Sequence, residues 1–347
     1  MKALTYHGPG DIHYEEVADP TPHDLDGAVV KISLCSICGS DLHIYHGHGF
    51  SSDIGYTVGH EAVGEVVEVG SSVRKFKIGD RVLVPGSTGC SSCDFCRRGL
   101  VGLCSNGMSG CYGLSYRLQG SQAEAVAVPA ADTGLWHIPD AISDEQAILL
   151  TDGLATGWNG AVRADIQPGQ TIAVIGLGPV GLSCVMSAIV MGASVVYAID
   201  PVESRRAVAE KLGAIPIHGE DAVAQVHDLT RGRRVDVVLE AVGGQSTLPM
   251  AISLATVGGT VSVVGVHQAR SIEFPMALAQ AKSLAFIVSL TSVQAQLPAL
   301  TPLVASGRLK PELLVSHRVG LSDGVDAFRR FADREDGVLK IVLDPSK

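Results

Sequence analysis

The chain changes its pattern of apolar and polar residues near its middle. Up to about residue 150, short stretches alternate apolar with polar residues and are separated by glycine, proline and charged residues. Such alternation is typical of strands with one solvated face. The stretches are AVVKISL (28–34), GHEAVGEVVEVG (59–70), FKIGDRVLVPG (76–86) and AEAVAVPA (123–130). Their spacing predicts a compact, antiparallel, barrel-like domain.

After QPGQ (167–170), predominantly apolar runs replace the alternation. The runs are IAVIG (172–176), VVYAID (195–200), VDVVLEAVG (235–243), TVSVVGV (260–266) and AFIVS (285–289). Helical candidates such as PVESRRAVAEKLGA (201–214) lie between them. Buried strands that alternate with helices predict a parallel, doubly wound sheet, so the fold class is α/β.

The last part of the chain is too short for a third core. Past about residue 289 it contains a helical stretch, LPALTPLVASG (297–307), and a closing strand, GVLKIVLDP (337–345). We expect both to pack on the first domain. The predicted limits are therefore residues 1–152 plus 289–347 for the β-rich domain, and 153–288 for the doubly wound domain.

One uncharged stretch, residues 170–199, is long enough to span a bilayer. Against a membrane helix, Gly176, Gly178, Pro179 and Gly181 interrupt it near its start, and β-branched runs stand at both ends. This pattern is typical of a strand, a tight turn, a buried helix and a second strand. We therefore predict no membrane segment.

Size and charge restrict the function classes. A chain of 347 residues exceeds what one hydrophobic core usually serves. Its net charge of −10 is spread along the chain, which disfavours nucleic acid and anionic membranes as partners and favours a small-molecule ligand. The N-terminus, MKALTYHGPGDIHYEE, reaches charged residues before an apolar export signal could form, so we expect a cytoplasmic protein.

The sequence GLGPVG contains a dinucleotide-binding pattern. Gly176, Gly178 and Gly181 follow an apolar strand and open a predicted helix, whose N-terminus offers free N–H groups to a pyrophosphate. Asp200 ends the next strand, where a carboxylate accepts hydrogen bonds from the adenosine ribose. Such a carboxylate repels a 2′-phosphate and favours NAD over NADP, although Arg205 lies nearby. Alternatively, Asp200 caps the next helix.

Four of the eight cysteines, Cys90, Cys93, Cys96 and Cys104, lie within fifteen residues. In a cytosolic chain, thiols stay reduced, and this spacing suits one tetrahedral zinc held by four thiolates. A closed shell of four thiolates leaves no open position for substrate. We therefore predict a structural zinc site, with a redox dithiol as the alternative.

A second set of metal-capable residues is dispersed: Cys38, His60, Glu61 and Asp152. Taken singly, each is ordinary, since a lone histidine is usually a satisfied core or surface residue and Asp152 can cap a helix. Together they supply a thiolate, an imidazole and carboxylates, which can bind zinc and leave a position for substrate. Nothing in the spacing shows that they converge.

The chain resembles the zinc-dependent alcohol dehydrogenases of the medium-chain dehydrogenase/reductase superfamily from end to end. CGSDLH (38–43), GHEAVGEVVEVG (59–70), the four-cysteine segment and GLGPVG (176–181) with its downstream Asp occur in the order of that family. The resemblance implies a GroES-like catalytic domain, a Rossmann domain that binds NAD, and a homodimer or homotetramer. It also implies two zinc ions per chain and an alcohol, aldehyde or ketone as substrate.

Carried over by position, Cys38, His60 and Asp152 match the ligands of the catalytic zinc, and Glu61 matches a carboxylate that can enter the shell. Many relatives have cysteine or glutamate in place of Asp152, and aspartate there resembles bacterial secondary-alcohol and formaldehyde dehydrogenases. Aspartate leaves the zinc a harder Lewis acid than a thiolate does. Asp41 matches the carboxylate that orients the ligand imidazole.

The resemblance also implies roles in proton transfer and cofactor binding. Ser40 matches the hydroxyl that takes the alcohol proton, and His43 matches the distal base. Without the resemblance, Ser40 or Asp41 could equally cap a helix. The residues matched to cofactor contacts are Thr156 and Val180 beside the nicotinamide and Lys340 at the pyrophosphate.

The function predicted is an NAD-dependent oxidoreductase that acts on a CH–OH group. Threonine or polyol dehydrogenase activity stays open, because those enzymes share a CGSD or CGTD run. Formaldehyde dehydrogenase activity stays open because of the resemblance at Asp152. A zinc-free quinone reductase lacks these ligands, and a non-enzymatic NAD-binding protein has no need of a proton relay. We expect the 43–58 loop, Gly86, the 106–118 segment and Trp158 to contribute to the substrate pocket.

Overall fold

The computed structural model of the protein describes residues 1–22, 24–49, 51–106, 110–267, 269 and 271–347. These residues form two units, Met1–Ala155 with Ser292–Lys347, and Thr156–Thr291. The limits predicted from the sequence lie slightly earlier at both junctions. The first junction falls inside the helix Gly153–Arg163, so no loop marks it.

Short strands build most of the first unit. In chain order they are β1 (Lys2–Gly8), β2 (Asp11–Glu16), β3 (Ala28–Ser36), β4 (Tyr56–Thr57), β5 (Ala62–Val69), β6 (Arg81–Val84), β7 (Ser87–Thr88), β8 (Gly110–Cys111), β9 (Ala125–Val128) and β10 (Trp136–His137), and after the second unit β17 (His317–Gly320) and β18 (Ile341–Asp344). The main sheet has the order β10-β6-β5-β3-β18-β17, with β9 also paired to β3. Two smaller sheets have the orders β2-β1-β4 and β7-β8.

The strand pairs of this unit are antiparallel, apart from the parallel pair β17–β18. Buried and exposed residues alternate through the middle of β3 and β5, as the sequence pattern predicts. Their buried faces join one hydrophobic core that includes Val30, Val66, Tyr56 and Phe328. The closing segment pairs with this sheet through β18 and β3, so it completes the first unit.

Helices in the first unit are short. They are α1 (Asp41–Tyr45), α2 (Asp94–Arg97), α3 (Ala131–Gly134), α4 (Asp144–Leu150), and after the second unit α11 (Val293–Ala305) and α12 (Gly324–Ala332), with 3₁₀ turns at Val101–Leu103, Pro311–Leu314 and Leu321–Asp323. Ser143 caps α4 through a complete capping box with Gln146. This cap fixes where α4 begins, and α4 ends at Leu150, two residues before Asp152.

The second unit is a parallel sheet with helical connections. Its strands are β11 (Thr171–Ile175), β12 (Val195–Asp200), β13 (Ile215–His218), β14 (Val235–Glu240), β15 (Ala255–Val263) and β16 (Ala285–Val288). Its helices are α5 (Gly153–Arg163, which begins in the first unit), α6 (Pro179–Val190), α7 (Glu203–Lys211), α8 (Ala222–Leu229), α9 (Thr247–Leu254) and α10 (Met276–Ala281). The strand order is β13-β12-β11-β14-β15-β16.

This order reverses direction at β11, which pairs with β12 on one side and β14 on the other. The carboxyl ends of β11 and β14 therefore flank the crevice where doubly wound sheets bind ligands. Every strand pair in the sheet is parallel, which confirms the α/β prediction.

The stretch 170–199 forms β11, α6 and β12, as the glycine and proline positions predict. Over the described ranges, we find no helix with the length and apolar character needed to cross a membrane.

Candidate active site and dinucleotide site

His60 is the centre of the candidate active site. It lies between β4 and β5, and its side chain is 3% exposed. Nδ1 lies 3.2 Å from Oδ1 of Asp41, and Nε2 lies 3.3 Å from Oδ2 of Asp152 and 3.1 Å from Oγ of Ser40. One ring nitrogen thus faces an orienting carboxylate, and the other faces the metal-capable side chains.

The four dispersed residues predicted as ligands converge. Sγ of Cys38, just after β3, lies 3.4 Å from Oδ2 of Asp152. One donor atom each from Cys38, His60, Glu61 and Asp152 lies within 4.8 Å of the others. Bond lengths of about 2.0–2.3 Å to zinc give neighbouring ligand atoms separations of roughly 3–4 Å. The donor set therefore fits a metal ion after small movements.

Glu61 supplies a second sign that a cation fits here. Its side chain is fully buried, and Oε2 accepts hydrogen bonds from Oγ of Ser36 and Nζ of Lys340. Oε1 is also buried but has no hydrogen-bond partner. A buried carboxylate oxygen without a donor is costly, and a metal ion would satisfy it.

Lys340 has a partner that the sequence did not predict. It is buried, and its ammonium group contacts Glu61. Burial lowers the pKa of Lys340, but the charge of Glu61 and its hydrogen bond with the ammonium group outweigh burial and raise the pKa above its ordinary value. Lys340 is therefore a buried cation beside Glu61, and its contact with a pyrophosphate stays a prediction.

Asp41, the first residue of α1, is held in place by two donors. Oδ2 accepts hydrogen bonds from the backbone N–H of Cys38 (2.9 Å) and from Nε2 of Gln122 (3.0 Å). Gln122 packs under Gly59, where an added Cβ would lie 2.3 Å from Cγ of Gln122. Ser36 and Gln122 were not identified from the sequence, since neither carries a motif. The local signal in the sequence is Gly59, directly before His60, which has a positive φ and packs closely on Gln122.

Ser40 and His43 belong to the α1 segment. Ser40 occupies the N-cap position but makes no side-chain cap hydrogen bond, and its hydroxyl faces His60 instead. A helix therefore starts here with Ser40 at its N-cap, as the alternative predicted, but the Ser40 side chain does not cap it. Burial, with the nearby His48 and His46, lowers the pKa of His43 and favours its neutral form. The proton relay through these two residues stays a prediction.

The thiols of Cys38 and Cys111, near His60, have raised pKa values. Burial raises the pKa of Cys38, and the negative charges of Glu61 and Asp152 raise it further. Cys111, in β8, also interacts electrostatically with His60, and burial raises its pKa to about 12. Metal binding by Cys38 therefore releases a proton.

The residues predicted to line the substrate pocket include Gly86 and Trp158. Gly86 packs directly on the ring of His60, since an added Cβ would lie 3.4 Å from Cδ2. Trp158 belongs to α5 and is partly exposed. Phe50 and residues 107–109 of the predicted segments lie outside the described residues.

The four conspicuous cysteines also converge. Cys90, Cys93, Cys96 and Cys104 place their sulfurs within 4.8 Å of one another, and all four are free thiols. Sγ of Cys90 lies 3.9 Å from Sγ of Cys96, close to the edge of about 3.8 Å in a tetrahedron with 2.3 Å zinc–sulfur bonds.

Hydrogen-bond donors next to Cys90 favour the thiolate form of this cysteine. Ser92 and the backbone N–H of Cys93 donate to Cys90 and lower its pKa to about 5. Asn106 also donates to Cys90 (3.3 Å). These contacts stabilise a thiolate on the exposed side of the cluster, which suits a metal ligand.

Each glycine of GLGPVG has a distinct role in the second unit. Gly176 has φ +85°, and an added Cβ at Gly181 would lie 1.8 Å from the carbonyl oxygen of Gly176. The first glycine therefore makes the turn, and the third lets α6 pack on the turn after β11. At Gly178 an added Cβ meets nothing within 4 Å, so the backbone borders open space at the N-terminus of α6. That arrangement fits a bound pyrophosphate.

Asp200 ends β12 and is buried. Its carboxylate accepts hydrogen bonds from the backbone N–H of Leu177 (2.7 Å) and of Val202 (2.8 Å). Arg205 lies 3.9 Å away from it. Asp200 is therefore fixed to the glycine turn as well as to the turn before α7. The N-cap residue of α7 is Val202, so the alternative that Asp200 caps this helix is wrong. Thr156 on α5 and Val180 on α6 are partly exposed, and their cofactor contacts stay predictions.

Family models match both units. Residues 24–140 match the alcohol dehydrogenase GroES-like domain, and residues 179–306 match the zinc-binding dehydrogenase model. With the relatives below, these matches show that the chain belongs to the zinc-dependent alcohol dehydrogenases of the medium-chain dehydrogenase/reductase superfamily. The predicted combination of a GroES-like domain and a Rossmann domain is confirmed.

Relatives match the chain from end to end. A protein of Mycobacterium tuberculosis named "Probable zinc-binding alcohol dehydrogenase" is 39% identical over 99% of this chain and 89% of its own length. The solved alcohol dehydrogenase TADH of Thermus sp. ATN1 is 39% identical, with a TM-score of 0.93 over 99% of both chains. A zinc-binding dehydrogenase of Sinorhizobium meliloti 1021, solved with NADP bound, is 30% identical with a TM-score of 0.86 over 99% of both chains.

Proposed function

We propose that the chain oxidises a small alcohol to an aldehyde or ketone, and catalyses the reverse reduction, with zinc at the candidate active site and NAD as hydride acceptor. The observation that carries the proposal is the convergence of Cys38, His60, Glu61 and Asp152 beside the hydroxyl of Ser40. Zinc, when bound, acts as a Lewis acid on the substrate oxygen. Bound NAD supplies the hydride chemistry itself.

The surrounding residues orient this centre and move a proton. Asp41 holds the imidazole of His60 through Nδ1, so that Nε2 points towards the other ligands. The hydroxyl of Ser40, 3.1 Å from Nε2, is placed to take the proton of the alcohol. His43, whose lowered pKa keeps it neutral near pH 7, is the proposed acceptor of that proton.

The NAD preference rests on Asp200. Its carboxylate is buried and fixed to the glycine turn, so it cannot turn away from a ribose without losing two hydrogen bonds. A 2′-phosphate would meet this negative charge, which disfavours NADP. Arg205, 3.9 Å from Asp200, partly balances the charge. We therefore expect NAD to be preferred, with NADP used poorly.

The four-cysteine cluster is proposed to hold a second zinc ion. Its four thiolates leave no open coordination position, so the ion stabilises the segment between β7 and β8 and takes no part in the chemistry. The segment is also tied to the rest of the first unit. Oγ of Ser292 accepts a hydrogen bond from the backbone N–H of Gly102 (3.2 Å), and Gln294 donates to the carbonyl oxygen of Ser87 (2.7 Å).

A homodimer is proposed from the free edge of the second unit. Among the described strands, β16 pairs with β15 alone, so its outer edge offers unpaired backbone groups. Exposed apolar side chains lie on it and beyond it: Phe286, Val288 and Leu290. An exposed edge with unpaired backbone groups and apolar side chains is open to pairing with another chain. A second copy can pair with it around a two-fold axis.

The test is the initial rate of NADH formation over primary, secondary, aromatic and polyol alcohols, threonine and formaldehyde, with NADP compared at the same concentrations. We expect turnover with at least one alcohol. Asp152→Ala and Cys38→Ala should abolish it while the four-cysteine site keeps its zinc. Asp140→Asn, at an exposed carboxylate between β10 and α4, is the control and should stay active.

The panel also separates the alternatives. Preference for threonine, a polyol or formaldehyde would assign the chain to one of those activities. Full activity in Asp152→Ala or Cys38→Ala would remove that residue from the zinc shell. A folded, zinc-loaded protein that is inactive with every substrate would contradict the proposed activity towards these classes. The cytoplasmic location stays a prediction.

A further inference from the structure

The hairpin formed by β1 and β2 carries a cluster of metal-capable side chains outside the candidate active site. His7 lies on β1, and His13 and Glu15 lie on β2. One donor atom from each of the three lies within 4.8 Å of the others. The proposed dehydrogenase activity uses none of them.

The strand register brings the three side chains to one face. His13 is paired directly with Thr5, and residues two apart on a strand share a face. His7 is two residues after Thr5, and Glu15 is two residues after His13. The register shift between Tyr6 and Gly8 then places His7 at the bulge, next to the hairpin turn.

The cluster is ordered although it is open to solvent. Nε2 of His7 lies 2.7 Å from Oε1 of Glu15, and the buried hydroxyl of Thr5 donates to the same carboxylate oxygen. The rings of His7 and His13 stack with centroids 4.2 Å apart. Asp11 lies 2.8 Å from Nε2 of His13. The side chains of His7, His13 and Glu15 are 29%, 49% and 39% exposed, so an ion and water can reach them.

We propose that His7, His13 and Glu15 form a separate binding site for a transition-metal dication such as Zn²⁺. Two imidazole nitrogens and one carboxylate oxygen are donors that zinc accepts, and water from the open side completes the shell. Thr5 and Asp11 then serve as outer partners that orient Glu15 and His13. The ion would join β1 to β2 at the start of the chain.

One rearrangement is required. A metal lies near the plane of the imidazole that binds it, so two rings stacked with an interplanar angle of 20° cannot both bind one ion without a rotation. His13 is the more exposed of the two histidines and lies at the surface of β2, so it supplies the rotation. The ring of His7 stays beside Glu15.

The experiment counts zinc on the zinc-loaded full chain without a histidine tag. The protein is dialysed to equilibrium against buffered micromolar free zinc at about pH 7.5, above the ordinary pKa of histidine. Metal and protein are then quantified for wild type, His7→Gln, His13→Asn and Glu15→Gln. His46→Gln, an exposed histidine of the same unit, is the matched control.

We expect wild type and His46→Gln to bind one more zinc per chain than His7→Gln and His13→Asn. Glu15→Gln should weaken the extra site by more than about tenfold, the least that even an outer-shell loss typically costs. The comparison is a difference between variants, so it does not depend on how many zinc ions the other two sites hold. Equal zinc in wild type and His13→Asn, or loss of the extra zinc in His46→Gln, would overturn the proposal. His13 is half exposed, so His13→Asn stays informative if His7→Gln fails to fold.

Discussion

At the scale of single residues, the three carboxylates around His60 have different partners. Asp41 is bound by a backbone N–H and an amide, Glu61 by a hydroxyl and an ammonium group, and Asp152 is the most exposed of the three, at 23%. All three are therefore positioned by neighbouring groups, since Asp152 also contacts Cys38 and His60, but Asp152 has the largest exposed fraction.

The first residue-scale prediction concerns the charge of Asp41. Asp41→Asn keeps the size of the side chain but removes the negative charge 3.2 Å from Nδ1 of His60. We expect affinity for the catalytic metal to fall by about 10–100-fold, with kcat/KM falling in parallel. Competition against a chelator measures the affinity. The four-cysteine site of the same chain is the internal control and should keep its metal; unchanged competition at the active site would contradict the orienting role.

The second residue-scale prediction concerns pH. The pKa of His43 is lowered by burial and by His48 and His46, so the midpoint of its protonation lies below the ordinary value of about 6.5. Because the neutral form is the proposed proton acceptor, kcat/KM should fall as pH drops through this lowered pKa. His43→Gln should reduce the rate by about 10²-fold and remove this dependence.

Metal content must be followed across the same pH range, because acid also protonates the zinc ligands. Zinc should stay bound where the rate begins to fall. An acid limb that is identical in His43→Gln and wild type would exclude His43 as the base.

At the scale of elements, two glycines of the turn between β11 and α6 have different roles. Gly181 serves packing, and Gly178 borders the proposed ligand. At Gly181 an added Cβ would collide with the carbonyl oxygen of Gly176, whereas at Gly178 it enters open space. Gly181→Ala should therefore destabilise the protein by about 1–3 kcal/mol or more. Gly178→Ala should leave the melting temperature unchanged but weaken NADH binding. Thermal unfolding and NADH fluorescence titration measure the two effects, and wild-type NADH affinity in Gly178→Ala would show that the dinucleotide does not use this space.

Elements with a strong periodic pattern were predicted correctly. The segments assigned to β3, β5, β6 and β9 and the runs of the parallel sheet form strands. Of the described strands with four or more residues, four were not predicted: β1 and β2, which lie in an N-terminal stretch rich in charged and polar residues, β13, a short edge strand that contains a proline, and β17, an edge strand of the main sheet. Edge strands have fewer packing constraints, so their sequences carry a weaker signal.

The candidate site is formed by contacts between residues that lie far apart in the sequence. Cys38, His60 and Asp152 could be named as ligand types, but their convergence depends on the pairing of distant strands. The contact between Lys340 and Glu61 arises because the residue before β18 is brought next to the start of β5. Neither local propensity nor motif spacing encodes such a contact.

At the scale of the whole molecule, the edge of β16 is the proposed site at which two copies of the chain associate. Paired edge strands from two copies would extend the parallel sheet across a two-fold axis and bury Val288, which is 62% exposed in the single chain. Val288→Lys places a charge on this edge, which is how natural edge strands avoid pairing. We expect wild type to be a dimer or a larger even-numbered assembly, and Val288→Lys to shift towards the monomer in light scattering.

Val325→Lys is the matched control for that change, since Val325 is 43% exposed on α12 of the other unit. Val325→Lys should form an assembly of the same size as wild type in light scattering. Because the candidate zinc ligands all belong to the first unit, a folded Val288→Lys monomer should also keep its zinc. A wild-type monomer, or an assembly that Val288→Lys leaves intact, would show that another partner or no partner covers the edge.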